Sequence, residues 1–561
     1  MRRPEARRSE TGRAPRRVAR LGCALALWLL APACSEAERR AADAGPDADV
    51  AADAEADADT PALAFPAAFR LGAATSAHQI EGGQTNTWTS WETLPQFAEH
   101  VVEPSGLATD HYHRFEADFD LARDMGLDTL RLSVEWSRVE PVRGQYDAAE
   151  LAHYGAVVDA LAARDLRPSL TLHHFTEPQW FDDLAGLTAP FDEHFCADGP
   201  SEGDFCAWAN PDAPAVFGLW CGRVAAALGD RVDEWWTINE LPGVWLGGYV
   251  AGDFPPGLTA PDLASVDTRA LPVLRNLLAA HVACYDAIHA NDTVDADGDG
   301  EPARVGLTVG VGAVRPARPG DPDDQAAADQ LFWAAGPLVV EAVTRGRLDA
   351  DFDTDPEEEH PEWAGHLDIL GVQYYASTVV LAFPIHPLLM GAPCVDPGDP
   401  ALTSLLLEAG CPPAPTPDFP FDDAGALYGK QHDPDGLVEV LEAFHAGWPE
   451  LPLVVTEQGY ANDDVRRAGS IVRHLEACHR ALARGIPLLG YYHWSLLDNF
   501  EWGRGYAVRF GLYAVDFAGD LARTPTLAAD VYAEIAHARG ISQPLLDAYA
   551  APGPLRTEPP P

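Results

Sequence analysis

Short apolar runs alternate with amphipathic stretches along the chain from about residue 65 onward. Each run has the length of a strand, whereas the stretches between the runs carry apolar residues at helical spacing. The runs begin at eight positions: Phe69, Thr129, Pro168, Val232, Arg304, Leu367, Leu451 and Pro487. Near-continuous apolar strands that alternate with helices are typical of a parallel sheet with both faces covered, and eight of them favour closure into a barrel. The pattern therefore predicts an α/β fold, a single (β/α)8 barrel with long strand-to-helix loop insertions.

The carboxyl ends of the predicted strands are polar, although the strands themselves are apolar. In such a barrel these ends meet at one rim, where catalytic groups lie. The polar residues are Gln79, Glu81, Glu135, His173, His174, Asn239, Glu240, Gln373, Tyr375, Glu457, Asp498 and Glu501. One polar strand end is ordinary, but seven that converge on one rim predict a functional site.

Two of these residues, Glu240 and Glu457, end the fourth and the seventh strand and therefore lie roughly opposite each other across the mouth. A single glutamate at a strand end is often a salt-bridge partner or a helix cap. Two opposed carboxyl groups among aromatic side chains and amides are the arrangement that hydrolyses a glycosidic bond, since one protonates the leaving oxygen and the other attacks the anomeric carbon. Trp494 and Trp502 would offer flat apolar faces to the sugar ring. The residues therefore predict a glycosidase.

Five stretches resemble motifs of glycoside hydrolase family 1, the β-glucosidase family. In chain order they are FRLGAATSAHQIEGG, TLHHFTEPQWF, WWTINEL, VVTEQGY and YHWSLLDNFEWGRGYAVRFGLYAVDF. The last is the most specific, and the resemblance runs from about Phe69 to about Tyr532. Because all five occur in the right order, the chain is identified as a member of this family.

The resemblance implies a role for each matching residue. Glu240 would be the general acid and base, and Glu457 the nucleophile. Arg131 would lie near the nucleophile and favour its ionised form, and Tyr375 would hydrogen-bond it. The residues around the substrate would be Gln79, His174, Asn239, Tyr375, Trp494, Glu501 and Trp502.

The activity implied is that of a retaining β-glycosidase, in the first place a β-glucosidase that removes terminal β-D-glucosyl residues by double displacement. Galactosyl and fucosyl residues stay open as substrates, and no cofactor is required. Three residues depart from the family pattern beside the catalytic positions: Leu241 replaces a proline, and Gln373 and Gln458 each replace an asparagine. They support one alternative, a catalytically weak carbohydrate-binding protein on the same barrel. A transglycosylase would use the same residues. Recognition of 6-phosphorylated sugars is disfavoured, because Glu501 and Trp502 would repel and block a phosphate.

The net charge of the chain limits the classes of molecule that it can bind. The 561 residues include 86 acidic and 38 basic side chains, for a formal net charge of -48. Nucleic acid is excluded as a partner, because such a surface repels phosphates. The expected partner is a small carbohydrate, a β-glucoside or a short β-linked oligosaccharide.

The N-terminus predicts export. Residues 1–34 combine an arginine-rich segment with a short apolar run that ends at Cys34, which is typical of a signal peptide and resembles a lipoprotein signal with Cys34 lipidated. Residues 35–62 form an Ala/Asp-rich tether that buries almost nothing. The barrel would occupy residues 63–550, and residues 551–561 a Pro-rich tail. The protein would be a membrane-anchored lipoprotein, periplasmic or at the cell surface, or otherwise secreted. A lipid anchor would be its sole membrane contact.

Export makes disulfides possible. We expect Cys196 to pair with Cys206 and Cys394 with Cys411, because each pair flanks a loop-like stretch. The remaining cysteines of the barrel are Cys221, Cys284 and Cys478, which lie in helix-like segments and are expected to be buried thiols.

Two loops have further expected roles. Asp295, Asp297 and Asp299 have the spacing of the first half of a calcium loop but lack an acid at its twelfth position, so a structural calcium ion and a plain acidic turn both stay open. The long stretch from about Ser377 to Tyr428 follows the sixth strand, on the catalytic face. It is expected to shape the leaving-group side of the pocket.

Overall fold

The computed structural model describes residues 61–98, 100–182, 184, 205–383, 389–395, 400–413, 427, 429–551 and 553–560. Eight strands form its barrel: β1 (Arg70–Ala74), β2 (Thr129–Ser133), β3 (Arg167–Thr171), β4 (Glu234–Trp236), β5 (Arg304–Gly310), β6 (Ile369–Gln373), β7 (Leu453–Gln458) and β8 (Leu488–Trp494). All are parallel, each pairs with the next along the chain, and β8 pairs with β1 to close the barrel. The predicted (β/α)8 fold is confirmed, and every strand begins within two residues of its predicted start.

Eight principal helices surround the strands: α1 (His111–Asp124), α2 (Ala148–Ala162), α3 (Ala213–Leu228), α4 (Leu271–Asn291), α5 (Pro337–Arg345), α6 (Pro434–Gly447), α7 (Asp464–Ala483) and α8 (Leu527–Ala538). Shorter helices in the loops include Ala77–Ile80, Thr87–Thr93, Trp136–Val139, Leu241–Trp245, Pro322–Ala335, Pro400–Ala409 and Gln543–Tyr549.

Side-chain caps fix where several of these helices begin. Asp147, Asp433, Asp463 and Thr526 precede α2, α6, α7 and α8, and each side chain accepts a hydrogen bond from a backbone N–H of the first turn. Such caps satisfy N–H groups that have no partner within the helix. The helices therefore begin where the sequence places a capping oxygen.

A buried ion pair lies near the amino ends of the barrel strands. Arg70 of β1 pairs with Glu234 of β4, and the hydroxyl of Tyr492 donates to Glu234 at 2.8 Å. A buried charge pair persists when further hydrogen bonds satisfy it. The pair marks the amino ends of the strands, and the catalytic rim lies at the opposite end of the barrel.

The first and last described strands pair with each other. Leu63–Ala64 lies antiparallel to Gly540–Ile541, just after α8. Arg473 of α7 donates hydrogen bonds to carbonyl oxygens of Tyr549, Ala551 and Gly553, and Leu555 is buried. None of the helices in the described ranges combines the length and the apolar character that a membrane span needs.

The insertion after β6 is anchored on the catalytic side of the barrel. Its strand Ser377–Leu381 runs parallel to Ala313–Pro316 and antiparallel to Ala392–Pro393. The predicted disulfide between Cys394 and Cys411 is present and joins the residue after strand Ala392–Pro393 to the chain just after helix Pro400–Ala409. Backbone pairing with Ala313–Pro316 therefore attaches the insertion to the loop after β5, and the disulfide links two segments within the insertion.

The expectation that Cys221 and Cys284 are free thiols is wrong, because they form a disulfide between α3 and α4. The two helices approach closely at small residues: a Cβ on Gly218 would lie 3.1 Å from the Cβ of Ala283. Cys478 is a buried free thiol, as expected. Cys206 is disulfide-bonded, and its predicted partner Cys196 lies outside the described residues, as does Cys34.

Candidate active site

Glu240 lies where β4 gives way to the helix Leu241–Trp245. Its backbone is left-handed, with φ 43° and ψ 59°, a conformation that a non-glycine residue keeps only where its surroundings hold it. Its N–H donates to Thr308 Oγ1 of β5 at 2.8 Å. Its carboxyl group lies against Gly310, where a Cβ would be 2.4 Å from Glu240 Oε1. β5 therefore positions both the backbone and the carboxyl group of Glu240.

Three side chains hold the carboxyl group of Glu457 at the end of β7. Arg131 Nη1 and Gln373 Nε2 donate to Oε1 at 2.5 Å and 2.8 Å. The hydroxyl of Tyr375 donates to Oε2 at 2.8 Å. Both oxygens are bonded, so the orientation of the group is fixed.

Asn239 connects these residues through its amide oxygen. Oδ1 accepts from Arg131 Nη2 at 2.6 Å, from Gln373 Nε2 at 2.6 Å and from Thr308 Oγ1 at 3.1 Å. None of these bonds consumes the amide nitrogen, which can donate to a sugar hydroxyl.

The two carboxyl groups have different proton affinities. Burial and the neighbouring Glu457 raise the pKa of Glu240 well above its usual range, against the charges of Arg131 and Lys430. Burial also raises the pKa of Glu457, but Arg131 and the Tyr375 hydroxyl oppose that rise. A proton shared by the pair therefore resides on Glu240, which leaves Glu457 ionised.

Aromatic rings line the space beside these carboxyl groups. His174 stacks between Trp494 and Trp502, with ring centroids 6.0 Å and 6.1 Å away. Behind Trp502 lies His78, stacked at 5.5 Å and bonded to Glu92 at 2.7 Å. The rings that would contact a sugar are thus themselves supported from behind.

His174, Gln79 and Glu501 supply polar groups to the same space. Burial lowers the pKa of His174 well below its usual value, so its neutral ring offers one donor and one acceptor. Gln79 Nε2 lies 3.5 Å from Glu501 Oε2 and donates to the Phe500 carbonyl at 2.8 Å. Burial and Glu457 raise the pKa of Glu501 to about 8. At neutral pH this group can therefore donate as well as accept.

Four other polar residues near the strand ends have structural partners. The pairs are Glu81 with Arg138, Glu135 with Ser137, His173 with Glu177, and Asp498 with the backbone of Gly511. These four residues attach loops to the rim. The polar strand ends therefore meet at one rim, as the sequence predicted, but only some of their residues form the site.

Gln373, one of the three departures from the family pattern, is part of the site. Its amide nitrogen bonds Asn239 and Glu457, as above, while its buried Oε1 has no hydrogen-bond partner among the described residues. An unmade buried bond costs about 1–3 kcal/mol. Leu241 is buried within the first turn of its helix, followed by Pro242.

Gln458, the third departure, bonds to side chains other than those of the site. Its Oε1 accepts from Tyr491 at 2.6 Å and its Nε2 donates to Ser470 of α7 at 3.1 Å. It therefore ties β7 to its neighbours, and its extra methylene lies outside the catalytic hydrogen-bond network.

Sequence reasoning missed four residues of the site: Thr308, Gly310, His78 and Glu92. Thr308 and Gly310 lie inside β5, where nothing in the sequence distinguishes a threonine or a glycine of the site from one that is only structural. His78 lies beside Gln79 in the first motif and could have been noticed there.

The acidic loop before β5 lies at the opposite end of the barrel. Ligand atoms of Asp295 and Asp297 lie within 4.8 Å of each other and of Asp233, so Asp233 takes the place expected for Asp299. Two carboxylates have arginine partners: Asp297 with Arg167 at 2.7 Å and Asp299 with Arg304 at 2.6 Å. The calcium site stays a prediction.

The family model for Glycosyl hydrolase family 1 matches residues 62–191 and 200–541. The chain belongs to glycosyl hydrolase family 1. This confirms the resemblance and, with it, an O-glycosyl hydrolase of β-glucosidase type. The family 1 relatives are consistent with a retaining β-glycosidase.

Relatives of this chain have names from the same enzyme class. This family 1 glycosidase is 30% identical over 506 residues to a beta-galactosidase from Pyrococcus woesei, which covers 81% of this chain and 93% of the relative. It is 29% identical over 489 residues to a bifunctional beta-D-glucosidase/beta-D-fucosidase from Bifidobacterium breve, covering 81% and 94%. The solved beta-glycosidase from Pyrococcus horikoshii matches with a TM-score of 0.70 at 27% identity, covering 87% and 99%.

Proposed function

We propose that this family 1 enzyme is a retaining β-glucosidase in which Glu457 is the nucleophile and Glu240 the general acid and base. The observation that carries the proposal is the unequal environment of the two carboxyl groups. Glu457 accepts hydrogen bonds on both oxygens, from Arg131, Gln373 and Tyr375. Glu240 is buried beside a negative charge that favours its protonated form. One group is thus prepared to attack and the other to donate a proton.

In the first step Glu457 forms a bond to the anomeric carbon while the bond from that carbon to the glycosidic oxygen breaks. Glu240 gives its proton to that oxygen, so the aglycone leaves as a neutral alcohol. The product is a glycosyl-enzyme in which Glu457 is an ester.

The second step uses the charge that the first step removed. Esterified Glu457 is neutral, so it no longer raises the pKa of Glu240, whereas the charge of Arg131 still lowers it. Glu240 therefore accepts a proton from water more readily, and the water attacks the anomeric carbon. Two displacements restore the β-configuration.

The sugar that we propose as the main glycosyl group of the substrate is glucose. The relatives named above act, by their names, on glucosides, galactosides or fucosides. Glu501 and Gln79 would take hydroxyls of the ring, and His174 and the Asn239 amide would take the others. With a pKa of about 8, Glu501 is largely protonated at neutral pH, where it donates one hydrogen bond and accepts others. Above that pH it is ionised, and its bonds become charge-assisted and about twice as strong.

Two measurements test the catalytic proposal. Proton NMR during hydrolysis of a 4-nitrophenyl β-D-glucoside should show β-glucose first, and a panel of glucosides, galactosides and fucosides should rank the sugars. An initial α-anomer product would overturn double displacement. Tight binding without turnover of any of these sugars would favour the carbohydrate-binding alternative, and net disaccharide formation in dilute sugar would favour the transglycosylase.

We also propose that the protein is exported and anchored by a lipid on Cys34. The signal-like N-terminus supports this, as do the disulfides of the barrel, since such bonds persist in oxidising compartments. Cys34→Ala should move activity from the membrane to the soluble fraction, whereas Cys23→Ala, a control in the same apolar segment, should leave it with the membrane. Activity that stays with the membrane in Cys34→Ala would contradict the anchor.

A further inference from the structure

A buried carboxylate, that of Glu92, lies behind the sugar subsite and connects two segments of the chain. Glu92 belongs to the short helix Thr87–Thr93, and its side chain is fully buried, as is that of His78. Its Oε1 accepts a hydrogen bond from His78 Nε2 at 2.7 Å. Its Oε2 accepts from both the N–H and the hydroxyl of Ser105 at 2.8 Å. A buried charge persists where donors satisfy it in this way, so Glu92 holds His78 on one side and Ser105 on the other.

The tautomer of His78 follows from its second neighbour, Asn86. The Oδ1 of Asn86 caps the helix by accepting from the N–H and the hydroxyl of Thr89, both at 2.9 Å. Asn86 Nδ2 therefore faces His78 Nδ1, at 3.0 Å. Because an amide nitrogen is a donor, His78 Nδ1 accepts, and the proton of the neutral ring lies on Nε2 and is donated to Glu92. Hydrogen bonds at both ring nitrogens thus fix the plane of His78.

His78 supports the ring of Trp502 from behind. The two ring centroids are 5.5 Å apart, and the planes are 7° from parallel. Trp502 itself has a left-handed backbone, with φ 48°, a conformation that a non-glycine residue keeps only where its surroundings hold it. The position of the Trp502 ring therefore depends on His78, and the orientation of His78 depends on Glu92.

Ser105 belongs to a second segment, the rim loop of residues 100–106, which lies against the turn of residues 501–506. Three hydrogen bonds join the loop to the turn: from the Val102 N–H to the Gly503 carbonyl at 3.0 Å, from the Tyr506 N–H to Glu103 Oε1 at 3.0 Å, and from the Tyr506 hydroxyl to the Ser105 carbonyl. This turn carries both Glu501 and Trp502. Because Glu92 binds Ser105, the carboxylate also holds the loop that holds the turn.

We propose that Glu92 is a positioning residue of the sugar subsite, which sets the places of Glu501 and Trp502 against the sugar. The inference rests on the proposed glucosidase function and deepens it with a residue that acts through others. Glu92 fixes the ring of Trp502 through His78, and it fixes the turn that carries Glu501 through the rim loop. Only a carboxylate accepts hydrogen bonds at both ends, and both neighbours of Glu92 are donors.

Glu92→Gln tests the proposal at nearly constant shape. The amide has one accepting and one donating end, so its NH2 group faces either the N–H of His78 or the N–H of Ser105. One of the two connections is lost whichever way the amide turns. Because a misplacement of about 1 Å in a site costs roughly 100-fold in rate, a partial displacement should lower kcat/KM for 4-nitrophenyl β-D-glucoside about tenfold.

The loss should depend on Glu501 if Glu92 acts through the subsite. In the Glu501→Ser background, Glu92→Gln should lower kcat/KM only about threefold, because one of the contacts that it displaces is already absent. A merely structural role would give the same factor in both backgrounds, and that result would overturn the proposal. Wild-type kcat/KM in Glu92→Gln would overturn it as well.

Glu140→Gln is the matched control for this substitution. Glu140 is a buried glutamate on the loop after β2, also on the catalytic side of the barrel. Its Oε2 accepts from Trp136 Nε1 at 2.7 Å, and its Oε1 accepts from the Gly144 N–H at 2.6 Å. The amide thus loses one of two N–H donors here too, but away from the turn of residues 501–506. We expect kcat/KM near the wild-type value, and the same loss and the same dependence on Glu501 as in Glu92→Gln would overturn the proposal.

Ser105→Ala decides the question if thermal melting shows that Glu92→Gln is unfolded. It removes the hydroxyl bond to Glu92 but keeps the N–H bond, so kcat/KM should fall roughly threefold. Ser137→Ala is its control, because the N–H and the hydroxyl of Ser137 likewise donate to one oxygen of a buried glutamate, Glu135. Equal kcat/KM in the two serine variants would overturn the proposal. Wild-type enzyme that does not hydrolyse the glucoside would overturn the proposed function itself, which is a distinct result.

Discussion

Gly310→Ala should displace the general acid without disturbing the fold. The φ of Gly310 is not positive, so its backbone accepts alanine. The added Cβ would lie 2.4 Å from Oε1, 2.6 Å from Cδ and 2.9 Å from Oε2 of Glu240. Ordinary contact begins near 3.4 Å, so the carboxyl group must move by about 1 Å. Glu240 is a flexible side chain, and it yields more easily than the strand.

The size of the effect follows from that displacement. A misplacement of about 1 Å costs roughly 100-fold in rate, or about 2.7 kcal/mol of transition-state stabilisation. The loss should appear where the leaving group needs a proton. Cellobiose should therefore lose about 100-fold in kcat/KM, and 2,4-dinitrophenyl β-glucoside should lose far less, because its phenol leaves without protonation.

The assay compares these two substrates in Gly310→Ala, in wild type and in Gly447→Ala. The last variant adds the same methyl group at the end of α6, where a Cβ meets nothing within 4 Å. Thermal melting should show all three proteins folded. Wild-type activity on cellobiose in Gly310→Ala would refute the reasoning. An equal loss on both substrates would also refute it, since that would indicate general distortion of the site.

Four further predictions concern the same residues and the acidic loop. Glu457→Ala should abolish hydrolysis, and added azide should restore turnover with the α-glycosyl azide as product. Glu240→Ala should lose the least activity on activated aryl glucosides and should give the β-glycosyl azide. The same azide anomer from both variants would contradict the assigned roles. In Glu457→Gln the pKa of Glu240 should fall, because the charge that raises it is gone, and NMR titration against wild type checks the sign. Glu501→Ser should lower kcat/KM for glucosides and galactosides roughly 5- to 150-fold, because buried sugar hydroxyls left without a partner cost about 1–3 kcal/mol; activity equal to wild type would misplace the subsite. Chelation should lower the melting temperature by about 1 °C for each kcal/mol that calcium at Asp295 adds, because a barrel of this size has an unfolding entropy of about 1 kcal/mol/K. The value of kcat/KM should be unchanged, and an identical melting curve would indicate a plain turn.

The strands and the two carboxyl groups could be predicted because their signals are local. Each strand is a short apolar run, and Glu240 and Glu457 each follow such a run directly. A closed parallel barrel then brings all carboxyl ends to one rim, so that chain order alone places the two groups across the mouth. The order of the strands along the chain therefore determines which residues meet at the site.

The parts that could not be predicted depend on contacts between distant segments. Cys221 and Cys284 are 63 residues apart and meet because glycine and alanine let α3 and α4 approach. Gly310 matters through the carboxyl group of another strand, and Asp233 joins the acidic loop from the start of β4. Each contact depends on how two elements pack together, so it cannot be predicted from the sequence of either element alone.

The pairing of Leu63–Ala64 with Gly540–Ile541 fixes how the barrel is presented to its surroundings. Helix α8 runs opposite to the strands, so its last turn and this small sheet lie at the amino ends of the strands, away from the mouth. The chain therefore enters the barrel at the amino ends of the strands, on the side opposite to the mouth. Any support that holds the protein by the residues before the barrel leaves the opening turned outward, toward arriving substrate. A fusion or surface coupling attached before Leu63 therefore leaves Glu240 and Glu457 accessible to substrate.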